Sequence, residues 1–104
     1  MITLAATNRK TVIFSPVLMA KCAILDPELT VGLPPFITAA TGMDALTHNL
    51  EAYVAKGEHA LADAVAIDGL RRIGANLKRA VQNGKDLEAR EQMLLASTFG
   101  ARSI

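Results

Sequence analysis

Asp44-Ala45-Leu46-Thr47-His48-Asn49-Leu50-Glu51-Ala52-Tyr53-Val54-Ala55 is the stretch that decides how this chain folds. Leu46, Leu50, Tyr53 and Val54 recur at i, i+4, i+7 and i+8, which gathers them on one side of an α-helix. Lys56-Gly57 closes that helix. Upstream, Pro34-Pro35 cannot continue a strand but can open a helix, and the pattern is helical from Phe36 onward. Downstream, a second helix is predicted over 59–81, with Leu61, Val65, Leu70, Ile73, Leu77 and Val81 as its buried stripe. Gly69 and Gly74 either weaken it, by about 1 kcal/mol each against Ala where exposed, or let a neighbouring helix approach closely. Asn83-Gly84 ends it. A third helix starts near Asp86, where acidic residues suit the positive end of the helix dipole, and carries Met93, Leu94, Leu95 and Phe99.

The first third reads differently. Thr11-Val12-Ile13-Phe14 and Cys22-Ala23-Ile24-Leu25 are short apolar runs closed by Ser15-Pro16 and Asp26-Pro27, and are predicted as two strands. Residues 28–35 form a loop. The expected fold is therefore mainly α: a small domain of about three helices preceded by a short two-stranded β element.

Composition narrows the function. The chain has 104 residues, enough for one domain, with 20% charged residues and a net charge of +1. Dispersed Lys and Arg form no basic face for nucleic acid or a membrane surface. No apolar run reaches the ~18 residues of a membrane span, and the N-terminus lacks the order of a signal peptide. The one cysteine, Cys22, opens an apolar run and reads as a reduced, buried thiol of a cytoplasmic protein. Hydrophobic residues reach 51% while aromatics are 4%. So short a chain leaves apolar area exposed or covered by a second copy, which makes a homo-oligomer the expected state.

Asp44 and His48 stand four apart, so on a helix a carboxylate oxygen and an imidazole nitrogen point to the same side. Such a pair can converge on Fe²⁺, Zn²⁺ or Mn²⁺. The same spacing also occurs as an ordinary surface pair contributing about 0.2–0.5 kcal/mol. Two ligands leave a site open, since these metals take at least about four. The remaining polar and sulfur-bearing residues have plainer readings. His59 is an exposed residue near a helix start, Glu51 supports the helix or bonds near the metal site without being a ligand, and Tyr53 is a half-buried packing residue. Asp63 and Asp68 are solvated, and Met19, Met43 and Met93 fill the core.

A longer pattern surrounds the pair. Asp26-Pro27-Glu28-Leu29-Thr30, Leu33-Pro34-Pro35, Thr38-Ala39-Ala40-Thr41-Gly42-Met43-Asp44-Ala45-Leu46-Thr47-His48 and Glu51-Ala52-Tyr53 closely resemble the iron-containing alcohol dehydrogenases, with Asp26, Pro34, Thr41, Asp44 and Glu51 in register. Looser resemblance continues through Leu61-Ala62-Asp63-Ala64, Asn76-Leu77 and Asp86-Leu87-Glu88-Ala89-Arg90. The resemblance implies a two-domain parent: a nucleotide-binding α/β domain, then a helical domain, with NAD(P) between them. One Asp and three His would hold Fe²⁺ or Zn²⁺, which polarises the alcohol oxygen during hydride transfer. By position, Asp44 matches the ligand Asp and His48 the first ligand His. Lys10, Leu29, Thr30 and Leu33 match positions bordering the cofactor. Residues 1–35 would then be a remnant of the nucleotide-binding domain, and 36–104 part of the metal-binding helical domain.

The departures are as informative. No Gly-Gly-Gly-Ser phosphate loop is present, and the two later ligand histidines have no counterparts. Gly100-Ala101-Arg102-Ser103-Ile104 leave the family pattern. The chain is therefore expected to be an internal piece of such an enzyme and inactive alone. It would serve as a helical oligomerisation module or a complementing subunit.

Overall fold

A computed structural model describes residues 2–57 and 59–103, with only the backbone for 102 and 103. The two-stranded element is present but shifted from its expected place. Strand β1 (Ile2–Leu4) pairs antiparallel with β2 (Arg9–Thr11), in the register Ile2 to Thr11, Thr3 to Lys10 and Leu4 to Arg9. The reversal uses Asn8 at φ 50, a left-handed conformation that asparagine tolerates. The expected strands at 11–14 and 22–25 are irregular beyond Thr11. β-branched residues favour a pleated, half-buried surface, and these runs have none: Phe14 is 95% exposed. Two capped 3-10 turns take over instead. Ser15 Oγ accepts from Val17 N–H before Pro16–Leu18, and Asp26 Oδ1 accepts from Glu28 N–H before Pro27–Thr30. Cys22 is exposed, contrary to the buried thiol expected, because the run it opens never joins a sheet.

Helix α1 runs Pro35–Val54, α2 Ala60–Gln82 and α3 Leu87–Ser103. Pro34 and Pro35 open α1 as expected, at positions where a missing N–H costs nothing. His59 caps α2 by accepting from Ala62 N–H at Nδ1, 3.3 Å away. Asp86 caps α3, its Oδ1 accepting from Ala89 N–H at 3.0 Å.

Each helix packs against the other two, and the contact lines consist largely of small residues. Thr38, Gly42, Ala45, Asn49 and Ala52 are buried on α1, and Ala66, Gly69, Ile73, Asn76 and Ala80 on α2. On α3 the line is Ala89, Ala96 and Gly100, with Met93 partly buried between them. Steps alternating between three and four residues make this a narrow seam on each helix. The stripe expected on α2 is corrected accordingly. Of its members only Ile73 is fully buried, while Leu61 is 70% exposed. Met19 and Met43 are likewise exposed, as are Leu50 and Val54. Apart from Ile73, the large apolar side chains flank the seam, while mainly alanine, glycine and short polar residues occupy it, so the helices approach closely.

Candidate metal centre

In the C-terminal half of α1 the helix is held from both sides through Asn49. Its amide is fully buried, and Nδ2 donates to Ala45 O in its own helix and to Ala96 O of α3, both at 2.8 Å. Glycines make room for it. A Cβ on Gly69 would lie 2.0 Å from Asn49 Oδ1, and one on Gly100 would lie 2.8 Å from Asn49 Nδ2. The Gly100 Cβ would also come within 3.0 Å of His48 Cβ, so α3 fixes the backbone that carries the imidazole.

From that backbone His48 and Asp44 project outward together. Nδ1 of His48 stands 3.7 Å from Oδ2 of Asp44, with the side chains 42% and 70% exposed. Two donors at about 2.1 Å from a common tetrahedral or octahedral ion stand roughly 3.0–3.4 Å apart. The observed separation is a small rotamer adjustment from that geometry, and the donor set, one carboxylate oxygen and one imidazole nitrogen, suits a borderline divalent ion. The site is open on its outer side. Among the described residues no group of three or more His, Cys, Asp or Glu side chains is placed to hold a metal. His59 commits its Nδ1 lone pair to the α2 cap.

The four residues expected near a cofactor do not converge equally. Thr30 and Leu33 line a cleft of about 220 Å³ between the second 3-10 turn and the three helices, together with Thr38, Ala45, Arg90 and Met93. Leu29 is exposed on the turn and outside that lining, and Lys10 lies on β2, away from the cleft. Neither Asp44 nor His48 lines it, although Thr41, one turn before Asp44, does.

Asp68 is ion-paired with Arg72 at 2.6 Å rather than merely solvated. Arg72 also donates to Gln92 of α3 and lies 5.5 Å from the centre of the Phe99 ring. Arg90 was not singled out from the sequence, yet it is only 3% exposed. Its guanidinium is enclosed between Thr38 of α1 and Gly84 of the turn before α3, beside the cleft it lines. Asn49 and Asn76, polar residues at seam spacing within helices, were the sequence signal for the buried amides.

A family model described as Fe-containing alcohol dehydrogenase family, C-terminal, matches residues 38–103. The chain is 50% identical over 93 residues to the probable alcohol dehydrogenase EutG of Salmonella typhimurium, covering 89% of this chain and 24% of that protein. It is 48% identical over 84 residues to 4-hydroxybutyrate dehydrogenase of Cupriavidus necator, covering 81% of this chain and 22% of that one. Among solved structures it matches 1,3-propanediol oxidoreductase with a TM-score of 0.73 at 47% identity, over 75% of this chain and 20% of that one. It matches the NAD⁺ complex of sulfoacetaldehyde reductase from Bifidobacterium kashiwanohense with a TM-score of 0.73 at 38% identity, over 76% of this chain and 21% of that one. The chain thus spans about a quarter of the length of the curated relatives it matches.

Proposed function

The chain belongs to the iron-containing alcohol dehydrogenase family, and from that membership we propose that it supplies half of the metal cage of an NAD(P)-linked alcohol dehydrogenase. Asp44 and His48 are the two ligands, and the observation carrying this reading is their 3.7 Å approach on an outward face stiffened by Asn49 and Gly100. When bound, an Fe²⁺ or Zn²⁺ ion supplies Lewis-acid polarisation of an alcohol oxygen. The chain's part is to hold one carboxylate and one imidazole side by side while other polypeptide provides the remaining donors. Residues 1–35, with Lys10, Leu29, Thr30 and Leu33, belong to the cofactor-bordering side, and 36–104 to the helical metal-binding side.

Two ligands hold such ions poorly against water and buffer, and no glycine-rich phosphate cradle is present in the sequence. Alone, the chain is therefore a silent module. The purified chain should retain no iron and show no alcohol-dependent NAD(P) reduction, and activity should appear on mixing with the rest of such an enzyme. Turnover by the chain alone would overturn its silence. Unchanged metal content in a reconstituted enzyme carrying Asp44→Ala or His48→Ala would overturn the ligand assignment.

Self-association is a second reading, favoured by the apolar side chains exposed at Phe14, Val17, Met19 and Ile24. Light scattering showing a monomer at high concentration would end it. No helix among the described residues is long and apolar enough to cross a membrane.

A further inference from the structure

Arg90 carries a positive charge into the interior without an anion to meet it. It is 3% exposed, and among the described residues no carboxylate lies within ion-pair distance of it. Its hydrogen-bond acceptors are neutral. Nε donates to Gly84 O, and both terminal nitrogens reach the single hydroxyl of Thr38 at 3.4 Å, near the outer limit of a hydrogen bond. A buried guanidinium has five N–H donors and normally takes a carboxylate or phosphate, because neutral acceptors recover only part of its lost hydration. The loosely held end of Arg90 lines a place where such a group could enter. That place is the 220 Å³ cleft whose wall it forms with Thr38 and Ser97, and whose other surfaces include Leu33, Met93 and Leu94.

The lining decides between anions. Thr30 and Thr41 direct their hydroxyls to Pro27 O and Ile37 O, so they are spent as donors. Apart from Arg90, the donors left are the hydroxyls of Thr38 and Ser97, and the remaining surface is mainly apolar. A phosphate would leave several oxygens against Leu and Met side chains. A carboxylate with a short hydrocarbon tail would leave none.

We propose that this cleft is a binding site for a short-chain aliphatic carboxylate, with its charged end at Arg90 and Thr38 and its tail along Leu33, Met93 and Leu94. This site is separate from the metal pair, since neither Asp44 nor His48 lines it. Each assignment can therefore fail without the other.

The test is a titration of the ¹⁵N-labelled chain with butyrate, butyramide and phosphate at constant ionic strength, following the Arg90 Nε–H and the amides of Thr38 and Ser97. Butyrate should shift these signals saturably, with a dissociation constant on the order of 1–10 mM, as suits a ligand of about six heavy atoms. Butyramide, which keeps the shape and loses the charge, should bind at least about tenfold more weakly, as should phosphate. Arg90→Met should abolish the response. Should that variant not fold, Ser97→Leu, which fills the cleft from an exposed position and leaves Arg90 in place, should abolish it with the helical signal intact. Equal responses to butyrate and butyramide, a phosphate response as strong as that to butyrate, or persistence of binding in Ser97→Leu would each overturn the proposal. So would silence of these signals at 100 mM butyrate.

Discussion

Replacing Gly69 by alanine sets two opposing effects against each other within α2, and the structure decides which wins. In an exposed helix interior the change stabilises by about 1 kcal/mol, through the backbone entropy that glycine loses on folding. At Gly69 the new methyl would meet Asn49 Oδ1 at 2.0 Å and Cγ at 2.6 Å. The amide has nowhere to retreat, because its nitrogen faces the close approach of Gly100 on α3 and is bonded to Ala45 O and Ala96 O. Relief requires either moving the helices apart, about 1–3 kcal/mol of overpacking, or releasing the bond to Ala96 O, about 1–3 kcal/mol for a buried group left unpaired. Set against the propensity gain, the net runs from near zero to a destabilisation of about 2 kcal/mol. For a domain of this size the upper end lowers the melting temperature by roughly 8–16 °C. Gly74, on the same helix with nothing within 4 Å of its Cβ position, is the internal control, and Gly74→Ala should stabilise by about 0.5–1 kcal/mol. Urea unfolding followed by circular dichroism gives both values. In an Asn49→Ala background the methyl fits, so Gly69→Ala should become neutral or stabilising, a coupling of about 1–3 kcal/mol. Equal effects at Gly69 and Gly74, or additivity with Asn49→Ala, would refute the packing argument.

Other consequences can be measured on the same material. The Ala89 N–H bond, and after it the Arg79 guanidinium, hold the Asp86 carboxyl below its ordinary value, so its stabilisation is full above the unfolded-state value of 3.8 and is lost as pH falls through the lower folded-state value. Urea midpoints of the wild-type chain should fall more steeply with acid in that window than those of Asp86→Asn. Equal acid dependence would remove Asp86 from the account. His59→Asp gives α2 a better cap and a charge suited to its N-terminus, and should raise stability by about 0.5 kcal/mol without altering metal uptake. Reduced metal uptake would make His59 a ligand. Cys22, being exposed, should react with a thiol reagent in the folded chain as fast as in urea, and protection in the folded chain would contradict its placement.

Much of the helical part was legible from residue order because its boundaries rest on local chemistry. Pro34-Pro35 opens α1, Asn83 ends α2 and Asp86 caps α3 wherever the rest of the chain lies. The Asp44 and His48 approach was legible for the same reason, since i, i+4 geometry needs only a helix. The buried faces were harder to read. A search for large apolar residues picks Leu61, Val65 and Leu70, whereas the seam is set by how closely backbones approach, which Ala66, Gly69 and Ala80 permit and leucine does not. The strands were misplaced because pairing depends on a partner: Val12 and Ile13 have the propensity, yet Ile2–Leu4 finds its register with Arg9–Thr11. Arg90 lay outside any reading of spacing, since its burial is a property of three helices and a turn together.

The metal-ligand pair can be tested most directly by titrating the ¹⁵N-labelled chain with Mn²⁺ and mapping paramagnetic broadening along α1. Broadening should centre on residues 44 and 48, with millimolar apparent affinity, and vanish from both positions in Asp44→Ala and in His48→Ala. Broadening centred elsewhere, or unchanged in either variant, would contradict the assignment of these two side chains as half of a metal cage.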